Sequence, residues 1–220
     1  MFKGHCFPKA IILQAVYFKL RFSLSYRDVE ELLSIRGVKV DHATIQRWVF
    51  KFTPLVEQQF RNRKKLVGKR WRLDETYIKV KGEWRYLYRA VDKEGNTVDF
   101  LLTKRRQRIS AQKFLIKAIE NNVNPELINI DKSGANKAAI KLYNRRNYSN
   151  IKIRQCKYLN NIVEQDHRMI KWRIMLGLGF KEFESAKRTI SGIEVVRMIK
   201  KNQLVNPESS TYKSFISLAS

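Results

Sequence analysis

The chain has 220 residues, enough for one mid-sized domain plus a small one, and 44% of them are hydrophobic, which suffices for a buried core. Forty-five Lys and Arg against 20 Asp and Glu leave a formal charge of +25, a self-repulsion with no use in a protein of small neutral metabolites. A polyanion relieves it through counterion release from phosphates, whereas a secreted cationic protein is disfavoured, because residues 1–9 lack a signal-peptide pattern and Cys6 and Cys156 lie too far apart for a metal knuckle.

The first segment, residues 8–53, reads as helical. Residues 10–21 carry Ile11, Ala15 and Phe18, with Phe22 just beyond them, close to helical spacing. The stretch 11–24 is broken by Gln14, Lys19 and Arg21, too short and too charged to span a bilayer. Ser25 is an N-cap candidate for a helix whose Asp28, Glu30 and Glu31 suit its positive end, and Gly37 closes it. Asp41 is a second N-cap candidate, opening residues 42–52 with Ile45, Val49 and Phe52 on one side. Two short helices around a Gly-containing turn form a helix-turn-helix pattern, and a plain helical bundle fits the same spacing. On the outward face of the second helix stand His42, Thr44, Gln46 and Arg47, donors and acceptors suited to base edges or phosphates. Residues 54–69, with the run Arg61-Asn62-Arg63-Lys64-Lys65, read as a basic linker.

From residue 70 the pattern is that of strands. Residues 70–80 and 83–91 are rich in aromatic and β-branched side chains, and Lys81-Gly82 between them suits a tight hairpin turn. A second turn over residues 92–96 leads to a strand over 97–103. Then come a helix over 110–122, a strand over 126–131, a helix over 133–144, a strand over 151–153, and helices over 158–172 and 183–202. This order is the ribonuclease H-like arrangement: a mixed five-stranded sheet flanked by helices, spanning residues 70–205 and preceded by the small all-α unit. Residues 206–220 read as a loosely held tail. Trp71, Trp84, Tyr86 and Tyr88 on the first two strands suit either packing or stacking on unpaired bases.

Three acids stand out. Asp74 sits mid-strand, where Asp is disfavoured, and strand alternation puts it on one face with Arg72 and Thr76. Asp131 ends the apolar run Leu127-Ile128-Asn129-Ile130, at the carboxyl end of a strand where α/β sheets form binding sites, and it also fits as a helix cap. Glu164 shares one helical stripe with Arg168 and Lys171, a surface ion pair by default. Each alone has a bland explanation. Together, two adjacent strands and a helix packed across them can bring three carboxylates to one point. There they would hold hard divalent ions for in-line displacement at phosphorus.

At these residues the sequence resembles the bacterial insertion-sequence transposases with a DDE triad, of the insertion sequence 6 group. The resemblance rests on Leu24-Ser25-Tyr26-Arg27-Asp28-Val29-Glu30-Glu31, Thr44-Ile45-Gln46-Arg47-Trp48, Leu73-Asp74-Glu75-Thr76-Tyr77, Asp131-Lys132-Ser133, and Tyr158-Leu159-Asn160-Asn161 leading to Glu164-Gln165-Asp166-His167-Arg168. It implies that Asp74, Asp131 and Glu164 are the catalytic and metal-binding residues, holding two Mg²⁺ or Mn²⁺ ions, and that Lys171 with Arg168 orients DNA. It further implies binding of double-stranded DNA at terminal inverted repeats and at a target, strand cleavage and strand transfer to a cointegrate, and a homodimer or larger assembly. The expected location is the cytoplasm, at the nucleoid. Ile130 departs from the group, which tends to carry Thr just before the second Asp. A non-catalytic DNA-binding regulator and a ribonuclease H-like nuclease without strand transfer are the competing classes.

Overall fold

The computed structural model describes residues 6–131, 133–176 and 179–219. Residues 1–5 of the stretch read for a targeting signal, and Lys132 of the Asp131-Lys132-Ser133 motif, lie outside the described residues. In chain order the elements are α1 (Lys9–Arg21), α2 (Tyr26–Ile35), α3 (His42–Asn62), β1 (Arg70–Val80), β2 (Glu83–Asp92), β3 (Thr97–Thr103), α4 (Arg108–Glu120), β4 (Leu127–Ile130), α5 (Gly134–Asn147) and β5 (Lys152–Gln155). A 3₁₀ turn (Lys157–Asn160), α6 (Asn161–Leu176), α7 (Phe183–Lys200) and α8 (Thr211–Ser217) follow. The chain folds as two compact units: one of residues up to Lys65 together with those from Trp172 onward, the other of residues 66–171. No helix among the described residues is long and apolar enough to cross a membrane.

In the helical unit the expected caps are present. The Ser25 hydroxyl accepts from the Asp28 N–H at 3.0 Å while the Asp28 carboxylate accepts from the Ser25 N–H at 2.7 Å, a reciprocal capping box. Asp41 accepts from the N–H groups of Ala43 and Thr44 and opens α3. The helix does not stop near Phe52, however. It continues through Pro54 to Asn62, so most of the stretch read as a linker is helical. Ile45, Trp48, Val49, Phe52, Val56 and Phe60 keep one buried stripe along it. That burial outweighs the backbone hydrogen bond that proline removes.

The helix over 183–200, read from the sequence as part of the sheet domain, instead packs on α3 and α1 and is the most buried helix of this unit. The residues read as a tail hold α8, with Phe215 buried against Tyr17 at a ring separation of 5.3 Å. Gly192 is what lets α7 approach its neighbours. A Cβ there would come within 2.5 Å of a Leu20 methyl and 2.8 Å of the Thr53 methyl, both fully enclosed.

In the second unit the sheet order is β3-β2-β1-β4-β5. The first three strands are antiparallel neighbours, and β4 and β5 join parallel to β1. This is the mixed five-stranded, ribonuclease H-like sheet. Lys81 and Gly82 both take positive φ, 50° and 77°, as a two-residue turn requires. The Asp92 carboxylate closes the next turn by accepting from the N–H groups of Glu94 and Asn96. One sheet face carries Trp71, Leu73, Tyr88 and Ala90 into a core with Phe114, Leu115 and Ala118 of α4 and Ala139 and Ile140 of α5. The other face carries Asp74, Thr76, Leu87 and Arg89.

Gly192→Ala is therefore an overpacking substitution. It should lower stability by about 1–3 kcal/mol in thermal or urea unfolding, despite the higher helix propensity of Ala.

Candidate active site

Asp74 lies directly across from Arg89 in the β1–β2 pairing. An acid and a cation thus share the middle of a sheet face, and neither tolerates burial without a partner. The first turns of α6 answer both. Val163, Asp166, His167 and Ile170 form its buried stripe, at helical spacing. Asp166 Oδ2 accepts from Arg89 Nη2 at 3.2 Å, with the Arg89 side chain fully buried, and His167 Nε2 lies 3.4 Å from Asp74 Oδ2. Glu164, Arg168 and Lys171 occupy the neighbouring stripe and are exposed. Glu164 stands one helical turn before the histidine that meets Asp74.

Asp131 follows β4, whose parallel register with β1 pairs Arg70 with Leu127, Trp71 with Ile128 and Arg72 with Asn129. The pairing ends there; carried two residues further along each strand, the same register would bring Asp131 level with Asp74. Asp131 is not the cap of α5. Ser133 is that cap, and Asp131 Oδ1 instead accepts from the Ser133 N–H at 2.9 Å. On the opposite sheet face Glu75 accepts from Arg106 Nε at 2.7 Å and from Asn136 Nδ2 at 2.8 Å. Partial burial works against the Arg106 charge, yet Glu75, Tyr77 and Asp131 together hold its pKa above the ordinary guanidinium value. Burial first, then Glu75, pushes the Tyr88 hydroxyl up to about 12.

Two buried asparagines tie the three acid-bearing elements together. Asn129 Nδ2 donates to the Cys156 carbonyl at 2.9 Å and to Asn160 Oδ1 at 2.7 Å. Asn160 Nδ2 reaches the Leu73 carbonyl at 3.4 Å. Asn129 is two residues before Asp131, Leu73 one before Asp74, and Asn160 four before Glu164. Among the described residues no group of three His, Cys, Asp or Glu side chains already converges closely enough to hold a metal ion. Like charge favours separation of such carboxylates.

In the helical unit three of the four outward-face candidates make hydrogen bonds within the protein, Arg47 through Nε to the Ala43 carbonyl at 3.3 Å. His42 Nδ1 lies 2.9 Å from Glu30 Oε2, latching α3 to α2, and Thr44 Oγ1 donates to the capping Asp41 carboxylate at 2.8 Å. Gln46 and Arg47 are exposed. Gln46 also borders a cavity of about 420 Å³ whose lining includes none of the three acids. Lys19 and Arg173 line it too, donating to the Leu24 carbonyl at 2.6 Å and the Phe22 carbonyl at 3.1 Å. The strand aromatics considered for base stacking all share one sheet face; Trp71 and Tyr88 are core residues on it, Tyr86 is half-buried against that core, and Trp84, nearest the hairpin turn, is exposed. Arg89, Asp166, His167 and the asparagine pair were not singled out from the sequence. The two-residue turn carried one usable signal, since a hairpin closing at Lys81-Gly82 forces Asp74 opposite Arg89.

A DDE-domain family (DDE_Tnp_IS240) matches residues 68–203. The transposase for insertion sequence-like element IS431mec of Staphylococcus aureus is 40% identical over 207 residues, covering 92% of this chain and 90% of the relative. The transposase for insertion sequence element IS257 in transposon Tn4003, also of Staphylococcus aureus, matches with the same identity of 40% and the same coverage of 92% and 90%. Among solved structures, the integrase catalytic core domain of HTLV-2 in complex with magnesium is 17% identical, with a TM-score of 0.48 over 70% of this chain and 99% of that one.

The ion pair beneath α6 makes a prediction of its own. Asp166→Ala leaves the Arg89 cation enclosed without this carboxylate and should cost about 3–5 kcal/mol in urea unfolding. Replacing both partners, Arg89→Met with Asp166→Leu, should recover most of that loss.

Proposed function

Since the chain belongs to the DDE-domain transposases of bacterial insertion sequences, we propose that Asp74, Asp131 and Glu164 are its catalytic carboxylates. In this reading the sheet unit cuts and rejoins DNA, and α2 with α3 grips the terminal inverted repeats. The observation that carries it is the parallel register of β1 and β4. It supports Asp74 and Asp131 as side-by-side donors, with Glu164 one turn from the histidine that touches Asp74.

The donor chemistry fits hard divalent cations. All three side chains offer oxygen, and such ions take carboxylates together with water and substrate phosphate. When bound, a pair of Mg²⁺ or Mn²⁺ ions would supply charge to the attacking and leaving oxygens of an in-line displacement. Asp74, Asp131 and Glu164 would hold them. Arg168 and Lys171, exposed on the Glu164 stripe, would hold the phosphates of the strand being cut. Arg106 would keep Glu75 turned away from the substrate. Hydrolysis of a phosphodiester at the element's end frees a 3′-hydroxyl. That hydroxyl then attacks a target phosphorus, forming a new phosphodiester and displacing the target's own 3′-oxygen. Joining both ends to one target calls for a dimer or larger assembly, and a cointegrate is the expected product.

Gln46 and Arg47 are the residues of α3 best disposed to meet DNA, since both are exposed while His42 and Thr44 serve the α2 latch and the helix cap. The large positive charge supplies the sequence-independent part of the affinity.

Incubation with DNA bearing the element's ends and Mg²⁺ or Mn²⁺ tests the reading directly. The wild-type chain should yield both nicked and joined strands. Asp74→Asn, Asp131→Asn and Glu164→Gln should each lose both products by about a thousandfold or more, since the lost charge stabilisation is several kcal/mol, while end binding in a gel shift persists. A regulator would give no cutting and a simple nuclease only nicks. Retention of joining by Asp74→Asn would overturn the assignment.

A further inference from the structure

The end of the β1–β2 hairpin is built differently from the rest of the sheet. Among the described residues β4 pairs with β1 only from Arg70 to Arg72, and β3 meets β2 only from Tyr86 onward. The hairpin around Lys81-Gly82 therefore runs on as a two-stranded ribbon. One of its faces is closed, with Ile78 and Val80 buried. The other face is open. Cross-strand pairing puts Tyr77 beside Tyr86 and Lys79 beside Trp84, and these four share that face by strand alternation. Trp84 is 58% exposed and Tyr77 42%, their rings 6.4 Å apart and edge to face. Isolated exposed aromatics need no explanation, but two in contact at the end of a ribbon form a surface.

That surface is bordered by cations. Lys79 Nζ sits 5.8 Å from the Trp84 ring centre. The connection after β3, together with the first residue of α4, reads Lys104-Arg105-Arg106-Gln107-Arg108, and every one of these residues is exposed. It is tied to the ribbon at two points: Arg85 Nη1 donates to the Lys104 carbonyl at 3.3 Å, and Arg106 Nη1 donates to the Tyr77 hydroxyl at 3.3 Å. Arg106 is also bonded to Glu75, the strand neighbour of Asp74. The aromatic shelf and its basic border thus share the Glu75 face of β1, across the sheet from Asp74 and further along the same strand.

We infer that the open face of this ribbon is a binding site for single-stranded DNA, on which Trp84 and Tyr77 stack unpaired bases while the Lys104-to-Arg108 connection holds the backbone. Charge and ring chemistry both select this occupant. Every base has a π-face, and a cationic border beside stacking rings is how single strands are held without sequence readout. An acidic peptide would use the cations and leave the rings idle. A duplex keeps its bases stacked and offers the rings nothing. The inference rests on the reading that this chain acts on DNA ends, where strands fray and are cut.

The test is fluorescence anisotropy of a fluorescein-labelled oligothymidylate in EDTA, set against a labelled duplex of the same length, with the full chain. Trp84→Ala should weaken single-strand binding by about tenfold, as one lost stacking contact does, and Trp84→Ala with Tyr77→Ala by more. Duplex binding should stay within about twofold, because phosphate contacts dominate there. Trp84→Phe, which keeps a π-face, should bind the single strand nearly as well as wild type. Unchanged single-strand affinity in the double variant overturns the inference, as does equal loss on the duplex or a Phe variant as weak as Ala. All of these side chains are exposed, so the fold is not at risk. No chemistry occurs in EDTA, so the result is independent of whether Asp74, Asp131 and Glu164 prove catalytic.

Discussion

Asp74 and Arg89 oppose each other on the inner part of one sheet face, and the need to satisfy both charges organises the region around them. A strand pair with hydrophobic neighbours would accept a helix at many rotations. A strand pair presenting one acid and one enclosed cation accepts a helix only where Asp166 meets Arg89 and a polar group meets Asp74. Such pairs add little net stability compared with a well-packed apolar contact, and their value here is in register. Once Asp166 and His167 are seated, Glu164, Arg168 and Lys171 have no choice of direction. The asparagine clasp between β4, the 3₁₀ turn and β1 does the same at the start of the helix, with buried amides that are costly to leave unmatched.

Where local chemistry decides, the sequence was readable. Ser25 and Asp41 cap helices because their side chains satisfy orphan N–H groups, and nothing distant competes. Lys81-Gly82 closes a hairpin because few residue pairs accept two positive φ values, and β1 and β3 have the expected bounds. Failures cluster where a distant partner decides. The helix read as ending at Phe52 runs on because the buried stripe of α3 continues, and α7 packs on α1 and α3 rather than on the sheet. Periodicity shows that a helix has an apolar face, but not which neighbour that face will meet.

The site divides along the same line. Asp131 could be picked out because it terminates an apolar strand, and Asp74 because an acid in mid-strand is uncommon. The proposed pairing of the two rests on parallel register, which no local signal encodes. The roles of Arg89, Asp166 and His167 depend on a helix crossing a sheet at one rotation. On the helical unit, His42 and Thr44 had the right chemistry for DNA, but their polar atoms serve the α2–α3 latch and the cap. Polar residues near a helix start serve the cap first.

Anomalous scattering from Mn²⁺, in crystals of the chain bound to DNA carrying a cleaved element end, addresses the central claim most directly. The account predicts manganese held jointly by Asp74 and Asp131 oxygens, with Glu164 drawn into the same coordination sphere and a strand phosphate opposite. Manganese bound elsewhere, or Asp74 and Asp131 facing the DNA without sharing an ion, would contradict it.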